Sequence, residues 1–304
     1  MASLSRAQIK AINTVVTKRQ LQVKLTANWR AIYQHFDVGE IDGVDKKLIL
    51  TRQDHQLLHQ LVKEESGLDV FNLDFDADRH QMANVSHKEK LANVRPEANY
   101  VLVKQIGAQP SNPQLSNALS GIVDDEASMR LPVDSVFRFC QNASIQRLIV
   151  VENLDSFDAI AKMNFDEAIS SQLDSTLFVY RGGGANSPAG CKRLLQLLSN
   201  SHTKVKVLAF TDLDAAGLQI AQLLIGCEGI IIPKMMLNEP EQLVTLKQVN
   251  DLDDYHKQHK QVSFLKSQAL QAWTQVFKSM QQFHINVKQQ HMLAHSLELT
   301  LLMR

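Results

Sequence analysis

Four short apolar runs organise the second half of the chain. They are Arg147-Leu-Ile-Val-Val-Glu152, Thr176-Leu-Phe-Val-Tyr180, Lys204-Val-Lys-Val-Leu-Ala-Phe-Thr211 and Gly229-Ile-Ile-Ile232. Each is continuously or nearly continuously apolar, strand-sized, and closed by a polar, glycine or proline residue, which predicts strands buried on both faces. Residues 157–171, 188–199 and 215–224 between them carry helical patterns. Strands alternating with helices of this length predict an α/β fold: a mostly parallel sheet with helices on both faces. Such sheets bind ligands outside the carboxyl ends of their strands.

The first half reads differently. Residues 1–110 are polar and mainly helical, with short strands. Thr51 followed by Asp54 approximates a capping box, and Leu57, Leu58, Leu61 and Val62 make an apolar stripe that stops at Gly67. Tyr100-Val-Leu-Val103 predicts a strand. Two prolines, two serines and an asparagine between Gly107 and Ser116 predict a turn-rich connection. The expected organisation is therefore a helical region over 1–110, a linker over 111–135 and an α/β region over 136–304.

Composition narrows the function classes. The 304 residues carry 32 basic and 32 acidic side chains, so the formal net charge is zero and a polybasic tail is excluded. No apolar run approaches the roughly 20 residues of a membrane span, and Met1-Ala-Ser-Leu-Ser-Arg6 lacks the build of a secretory signal. Three cysteines, Cys140, Cys191 and Cys227, show no CxxC spacing. That pattern leads us to expect a reducing cytoplasmic setting without a disulfide scaffold or thiolate zinc site.

The chemistry gathers at strand ends. Glu152, Asp212 and Asp214 each lie at or just past the end of an apolar run, on the rim where an open α/β sheet does its work. Extended backbone would send Asp212 and Asp214 to one side. Carboxylates brought together repel one another and raise one another's pKa. A hard divalent cation removes that cost, and Mg²⁺ accepts one or two carboxylates with water and phosphate oxygens. Asp214 also stands where a helix beginning at Ala215 needs an N-cap.

Together, Val150-Val-Glu-Asn153, Tyr180-Arg-Gly-Gly-Gly184 and Phe210-Thr-Asp-Leu-Asp-Ala-Ala-Gly217 resemble a Toprim domain, the metal-binding α/β module of topoisomerases, primases and several nucleases. Within that group the chain is most similar to the nuclease subunit of Wadjet-type defence systems, a relative of the A subunit of topoisomerase VI. The likeness covers about residues 145–235 and more faintly 85–105, including Leu91-Ala-Asn-Val-Arg-Pro-Glu97.

The resemblance implies Mg²⁺-dependent cleavage of double-stranded DNA, with Mn²⁺ as an alternative ion. Glu152, Asp212 and Asp214 would be both catalytic residues and metal ligands. It implies a winged-helix-like first region contacting DNA or a partner, SMC- and kleisin-type complex subunits as partners, and a homodimer as a further possibility. The family's C-terminal helix often carries a Gln-Glu pair where this chain has Gln289-Gln290-His291-Met292. Tyr33, the early tyrosine at which a topoisomerase nucleophile would be sought, has no activating neighbour in sequence. Hydrolysis by water is the expected reaction.

Other features admit plainer roles. Arg181 with Gly182, Gly183 and Gly184 forms a candidate phosphate- or DNA-binding turn, because glycine permits close backbone approach; a tight turn reads the same way. His55 with His59, and His291 with His295, have zinc-like spacing but lack the glutamate of a zinc hydrolase. Asp69, Asp74, Asp76 and Asp78 lack the glycine and closing glutamate of a calcium loop. Asp251, Asp253 and Asp254 follow no apolar strand, and Cys191 reads as a small buried residue. Arg6, Lys10, Lys18, Arg19, Lys24 and Arg30 could meet phosphates or face solvent. Two other functions stay open. Phe210-Thr-Asp-Leu-Asp is similar to the nucleophile motif of haloacid-dehalogenase-type phosphatases, although that family's usual Gly-Thr is replaced by Ala215-Ala216. A non-catalytic DNA-binding or assembly subunit is the other.

Overall fold

The computed structural model describes residues 4–44, 46–72, 79–86, 96–106, 127–142, 145–183, 187–201, 203–246 and 249–304. Gly184, Asp74, Asp76, Asp78, residues 91–95 and residues 111–126 of the expected linker lie outside them. The chain divides into two compact units, Met1–Arg95 and Pro96–Arg304.

In the first unit the helix Arg6–Thr17 leads to strand β1 (Gln22–Lys24), then the helix Ala27–Phe36, β2 (Glu40–Asp42), β3 (Lys47–Ile49) and the helix Arg52–Ser66. The expected capping box is present: Thr51 Oγ1 accepts from Asp54 N–H at 3.2 Å, and Asp54 Oδ2 accepts from Thr51 N–H at 2.7 Å. Gly67 ends that helix at φ 73°, a left-handed cap that glycine adopts without penalty. The three strands pair antiparallel in the order β1-β3-β2. Ile9, Ile12, Trp29, Ile32, Leu48 and Leu58 form the core, and Tyr33 packs against it. Tyr33 is thus a half-buried packing residue at the edge of that core.

The second unit is built on one seven-stranded sheet. Its strands are β4 (Tyr100–Lys104), β5 (Met129–Pro132), β6 (Arg147–Val151), β7 (Thr176–Tyr180), β8 (Lys206–Phe210), β9 (Cys227–Pro233) and β10 (Leu299–Met303), in the order β10-β9-β8-β6-β7-β4-β5. The four apolar runs seen in the sequence become the central strands β6 to β9, which are mutually parallel. β4, β5 and β10 run antiparallel to their neighbours. The sheet is therefore mixed where the sequence suggested a mostly parallel one. Only the strands joined through helical crossovers need to be parallel, and flanking strands that enter from outside that succession are free to pair antiparallel. Because β4 pairs with β7, the second unit begins at Pro96, ahead of the expected linker.

Side-chain alternation assigns the central strands to two cores. Leu148, Val150, Leu177 and Val179 face the helices Val133–Asn142 and Ala189–Ser199. Ile149, Val151, Phe178, Tyr180, Leu208 and Phe210 enter the other core, where the helix Leu154–Asp158 packs on β6 and β7 and the helix Ala215–Leu223 on β8 and β9. Helices on both faces explain why these strands read as continuous apolar runs. The predicted helix over 157–171 is broken into Leu154–Asp158 and Glu167–Ser170 with a short 3₁₀ turn between. Asn164 and Asp166 take part in backbone bonds with Leu299, so this stretch serves the edge of β10 rather than continuing a helix.

Strand order also locates a crevice. From β6 the chain moves to β7 on one side, returns across β6 to β8 on the other, and continues outward to β9. The connections leaving β6 and β8 thus diverge, and ligands of open α/β sheets bind where that reversal occurs.

The two-sided core yields a stability prediction. Phe178 is fully buried between these layers, whereas Leu223 lies 62% exposed. Phe178→Ala should lower the unfolding free energy in urea by about 3–5 kcal/mol. Leu223→Ala should change it by less than about 0.5 kcal/mol.

Candidate functional site

Val151 and Phe210, the last residues of β6 and β8, sit directly opposite each other. Glu152 N–H extends the ladder by donating to the Phe210 carbonyl at 3.0 Å. This brings Glu152 beside Asp212 although 60 residues separate them, and Asp212 N–H donates to Glu152 Oε2 at 3.3 Å. Two of the three expected acids therefore meet at the crevice.

Electrostatics mark the pair. Burial pushes the Glu152 carboxyl up to about 7 from an ordinary 4.5, and the Asp212 charge adds to the rise. Arg181 opposes it, with Nη2 3.9 Å from Glu152 Oε1. Burial also raises the Asp212 carboxyl, against the stabilising Gln289 N–H. The Glu152 side chain keeps 21% of its surface open to solvent, so the pair is desolvated yet reachable.

Asp214 behaves otherwise. Its Oδ1 accepts from Gly217 N–H at 2.6 Å, capping the helix Ala215–Leu223. Its Oδ2 accepts from Gln258 Nε2 at 2.6 Å and from Asn286 Nδ2 at 3.4 Å. Only 6% of the residue is exposed. The three-carboxylate cluster expected from the sequence is thus a Glu152–Asp212 pair plus an inward-turned cap, because the first amides of a helix need an acceptor and Asp214 supplies it. Among the described residues no three His, Cys, Asp or Glu side chains form a metal-holding group. Gly217 is required by the same loop: a Cβ there would stand 2.1 Å from the Asp212 carbonyl.

The glycine-rich turn follows β7, which flanks β6. Gly182 has φ +96°, and a Cβ on it would press on Pro188 at 2.6 Å. Arg181 Nε is buried and finds no hydrogen-bond partner among the described residues. A partly exposed guanidinium beside Glu152 and ahead of the helix Ala189–Ser199 is suited to an anionic oxygen.

A third wall comes from the C-terminal part of the unit. Val287 exchanges backbone bonds with Leu213, N to O at 2.8 Å and 3.1 Å. Lys288 Nζ lies 3.1 Å from Asp251 and 2.7 Å from Asp254. Gln289 N–H donates to Asp212 Oδ1 at 2.8 Å.

A family model described as "Domain of unknown function (DUF7281)" matches residues 98–301. The chain belongs to this family. No curated protein and no solved structure matches it. The DUF7281 span lies within the unit Pro96–Arg304 and contains every residue of the crevice just described.

Three contributors to the DUF7281 crevice carry no signal in sequence: Gln258, Asn286 and Lys288. Amides and a lysine have no spacing signature, and Gln289 stands out only through the resemblance at Gln289-Gln290. The remaining candidates take plainer roles. His55 Nε2 bonds the Gln20 carbonyl at 2.9 Å, and His59 meets Asp69 at 3.3 Å. His291 Nδ1 bonds the Val249 carbonyl at 3.0 Å, and His295 is exposed. Asp251 caps the helix Leu252–Lys257, while Asp254 pairs with Lys257 and Lys288. Burial pushes the Cys191 thiol up to about 12, far from reactivity. Lys10, Lys18, Arg19, Lys24 and Arg30 are exposed on the first unit.

Two measurements follow from these environments. Between pH 4.5 and 7 folded Glu152 holds a proton that the unfolded chain has released, so its contribution to stability falls as pH rises through that window. In metal-free buffer, Glu152→Gln should therefore gain on the parent across it, by up to about 3 kcal/mol above pH 7 in urea denaturation. Asp214→Ala removes the cap and strands the amides of Gln258 and Asn286. It should cost about 2–3 kcal/mol in urea denaturation.

Proposed function

We propose that the unit Pro96–Arg304 is a Toprim-type, Mg²⁺-dependent nuclease that hydrolyses DNA phosphodiesters. The observation that carries this reading is the meeting of Glu152 and Asp212, both desolvated, at the carboxyl ends of β6 and β8. The Toprim resemblance asks for a glutamate after one strand and an aspartate after a later one, and the sheet makes those two strands neighbours. The four parallel central strands support the same reading.

The donor set suits a hard divalent ion. Two carboxylates satisfy Mg²⁺ or Mn²⁺ when water and phosphate oxygens complete the shell, and Glu152 and Asp212 would hold it. Bound there, the ion would polarise the phosphoryl group and stabilise the leaving oxygen. The partly exposed guanidinium of Arg181 offers donors to a phosphate oxygen, and the backbone of Gly182 and Gly183 allows the strand to come close. Gly184 belongs to the same proposed turn. Asp214 serves the reaction by holding the start of the helix behind Asp212. The attacking water draws on a carboxylate as base.

Duplex DNA is the proposed substrate. The winged-helix-like reading of the first unit is supported by its helices, the antiparallel β1-β3-β2 sheet and the exposed Lys10, Lys18, Arg19, Lys24 and Arg30. A neutral chain fits a cleaving subunit that is delivered to DNA by a complex, here an SMC- and kleisin-type defence assembly in the cytoplasm. A second copy of the chain is a further proposed partner. Among the described residues no helix is long and apolar enough to cross a membrane.

The test is plasmid cleavage with Mg²⁺ or Mn²⁺. Glu152→Gln and Asp212→Asn should each reduce nicking by at least about 100-fold, with circular dichroism unchanged. Parental rates in both variants would refute the assignment. A chromogenic phosphate monoester should not be turned over, since its turnover would indicate aspartyl-phosphate chemistry. Apparent affinity for Mn²⁺ should rise from pH 6 to about 8 and then level off, because Glu152 must lose a proton near 7 to bind a cation.

A further inference from the structure

Gln289 touches both strand ends of the crevice at once. Its Oε1 accepts from Asn153 N–H at 3.1 Å, and Asn153 follows Glu152. Its Nε2 donates to the carbonyl of Phe210, the last residue of β8, at 3.2 Å. Its own backbone N–H meets Asp212 Oδ1 at 2.8 Å. The residue is fully buried.

The neighbouring segment fixes where Gln289 stands. Val287 is bonded on both sides to Leu213, and Asn286 N–H donates to Asn250 Oδ1 at 2.6 Å. Asn286 Nδ2 reaches Asp214. Residues 286–289 therefore run along Asp212-Leu213-Asp214 as a short antiparallel partner. The amide of Gln289 fits one way round only, since its oxygen must face an N–H and its nitrogen a carbonyl. Leucine or methionine would fill the same volume and leave Asn153 N–H buried without an acceptor.

We infer that Gln289 is a positioning residue that ties the β6 end to the β8 end and so fixes how Glu152 and Asp212 face one another. The inference rests on the reading that this pair holds a cation. Groups that orient metal ligands typically change affinity or activity by about 10–100-fold when removed.

Two measurements on the full chain separate this role from ordinary core filling. Calorimetric titration with Mn²⁺ alone should show a dissociation constant about 10–100-fold weaker for Gln289→Ala. Gln289→Asn, whose shorter amide cannot span both strand ends, should show the same loss. Hydrogen exchange should quicken in peptides covering 147–156 and 207–216 of both variants, while the helix Ala189–Ser199 keeps the parental rate. Gln290→Ala, one residue along the same helix, should change neither quantity. Parental Mn²⁺ affinity in both Gln289 variants would overturn the inference, as would exchange that quickens evenly over residues 145–304. If the parent itself binds no Mn²⁺, the cation reading of Glu152 and Asp212 falls. The exchange pattern then decides the role of Gln289 by itself: localised quickening sustains it and its absence ends it.

Discussion

Two carboxylates held side by side in a partly dry crevice are electrostatically unfavourable, and the rest of the second unit arranges itself around that fact. Glu152 and Asp212 are each pushed toward their neutral forms by burial, and their mutual repulsion adds to the push on Glu152. The fold opposes the cost in three ways: Arg181 beside Glu152, the Asp212 N–H directed at Glu152, and the Gln289 N–H directed at Asp212. None of these removes it. Two acids kept close and incompletely neutralised are what the proposed divalent ion would compensate.

The sheet makes this juxtaposition unavoidable. β6 and β8 are adjacent because the chain reverses direction of travel across the sheet after β7. The turn after β7 then brings Arg181 to one side of Glu152, while residues 286–289 close the other side by pairing with the loop after β8. Asp214 plays a different part from its partner two residues earlier. By accepting three hydrogen bonds it anchors the start of the helix Ala215–Leu223, and the close contact of Gly217 with the Asp212 carbonyl holds the loop in shape. Asp214 of the Asp-Leu-Asp string is thus spent on architecture, while Asp212 stands at the crevice beside Glu152.

Much of this is legible in the sequence. Central strands that are apolar throughout, such as Thr176–Tyr180, declare burial on two faces, and the structure places helices on both. The capping box at Thr51 and the stop at Gly67 bound a helix by local hydrogen bonding alone. Local signals failed where distant chain intervened. The stretch after Asp158 carries a helical pattern yet serves the edge of β10, since backbone bonds to Leu299 outweigh the local preference. Tyr100–Lys104 resembled the end of the first region, but its pairing with β7 makes it part of the second.

Local residue chemistry by itself determined which segments become strands and helices, and that acidic side chains stand at the strand ends. Those properties depend on residues within a few positions of one another, where apolar spacing and capping act. Tertiary structure alone decided that Glu152 and Asp212 meet, that Gln258 and Asn286 close over Asp214, and that Gln289 bridges the two strand ends. Each of those outcomes rests on hydrogen bonds between residues at least 40 positions apart, among them Gln258 to Asp214, with a separation of 44. Such partners announce themselves by no periodicity, because a backbone amide or a glutamine side chain is equally capable of bonding water, its neighbours or a distant strand.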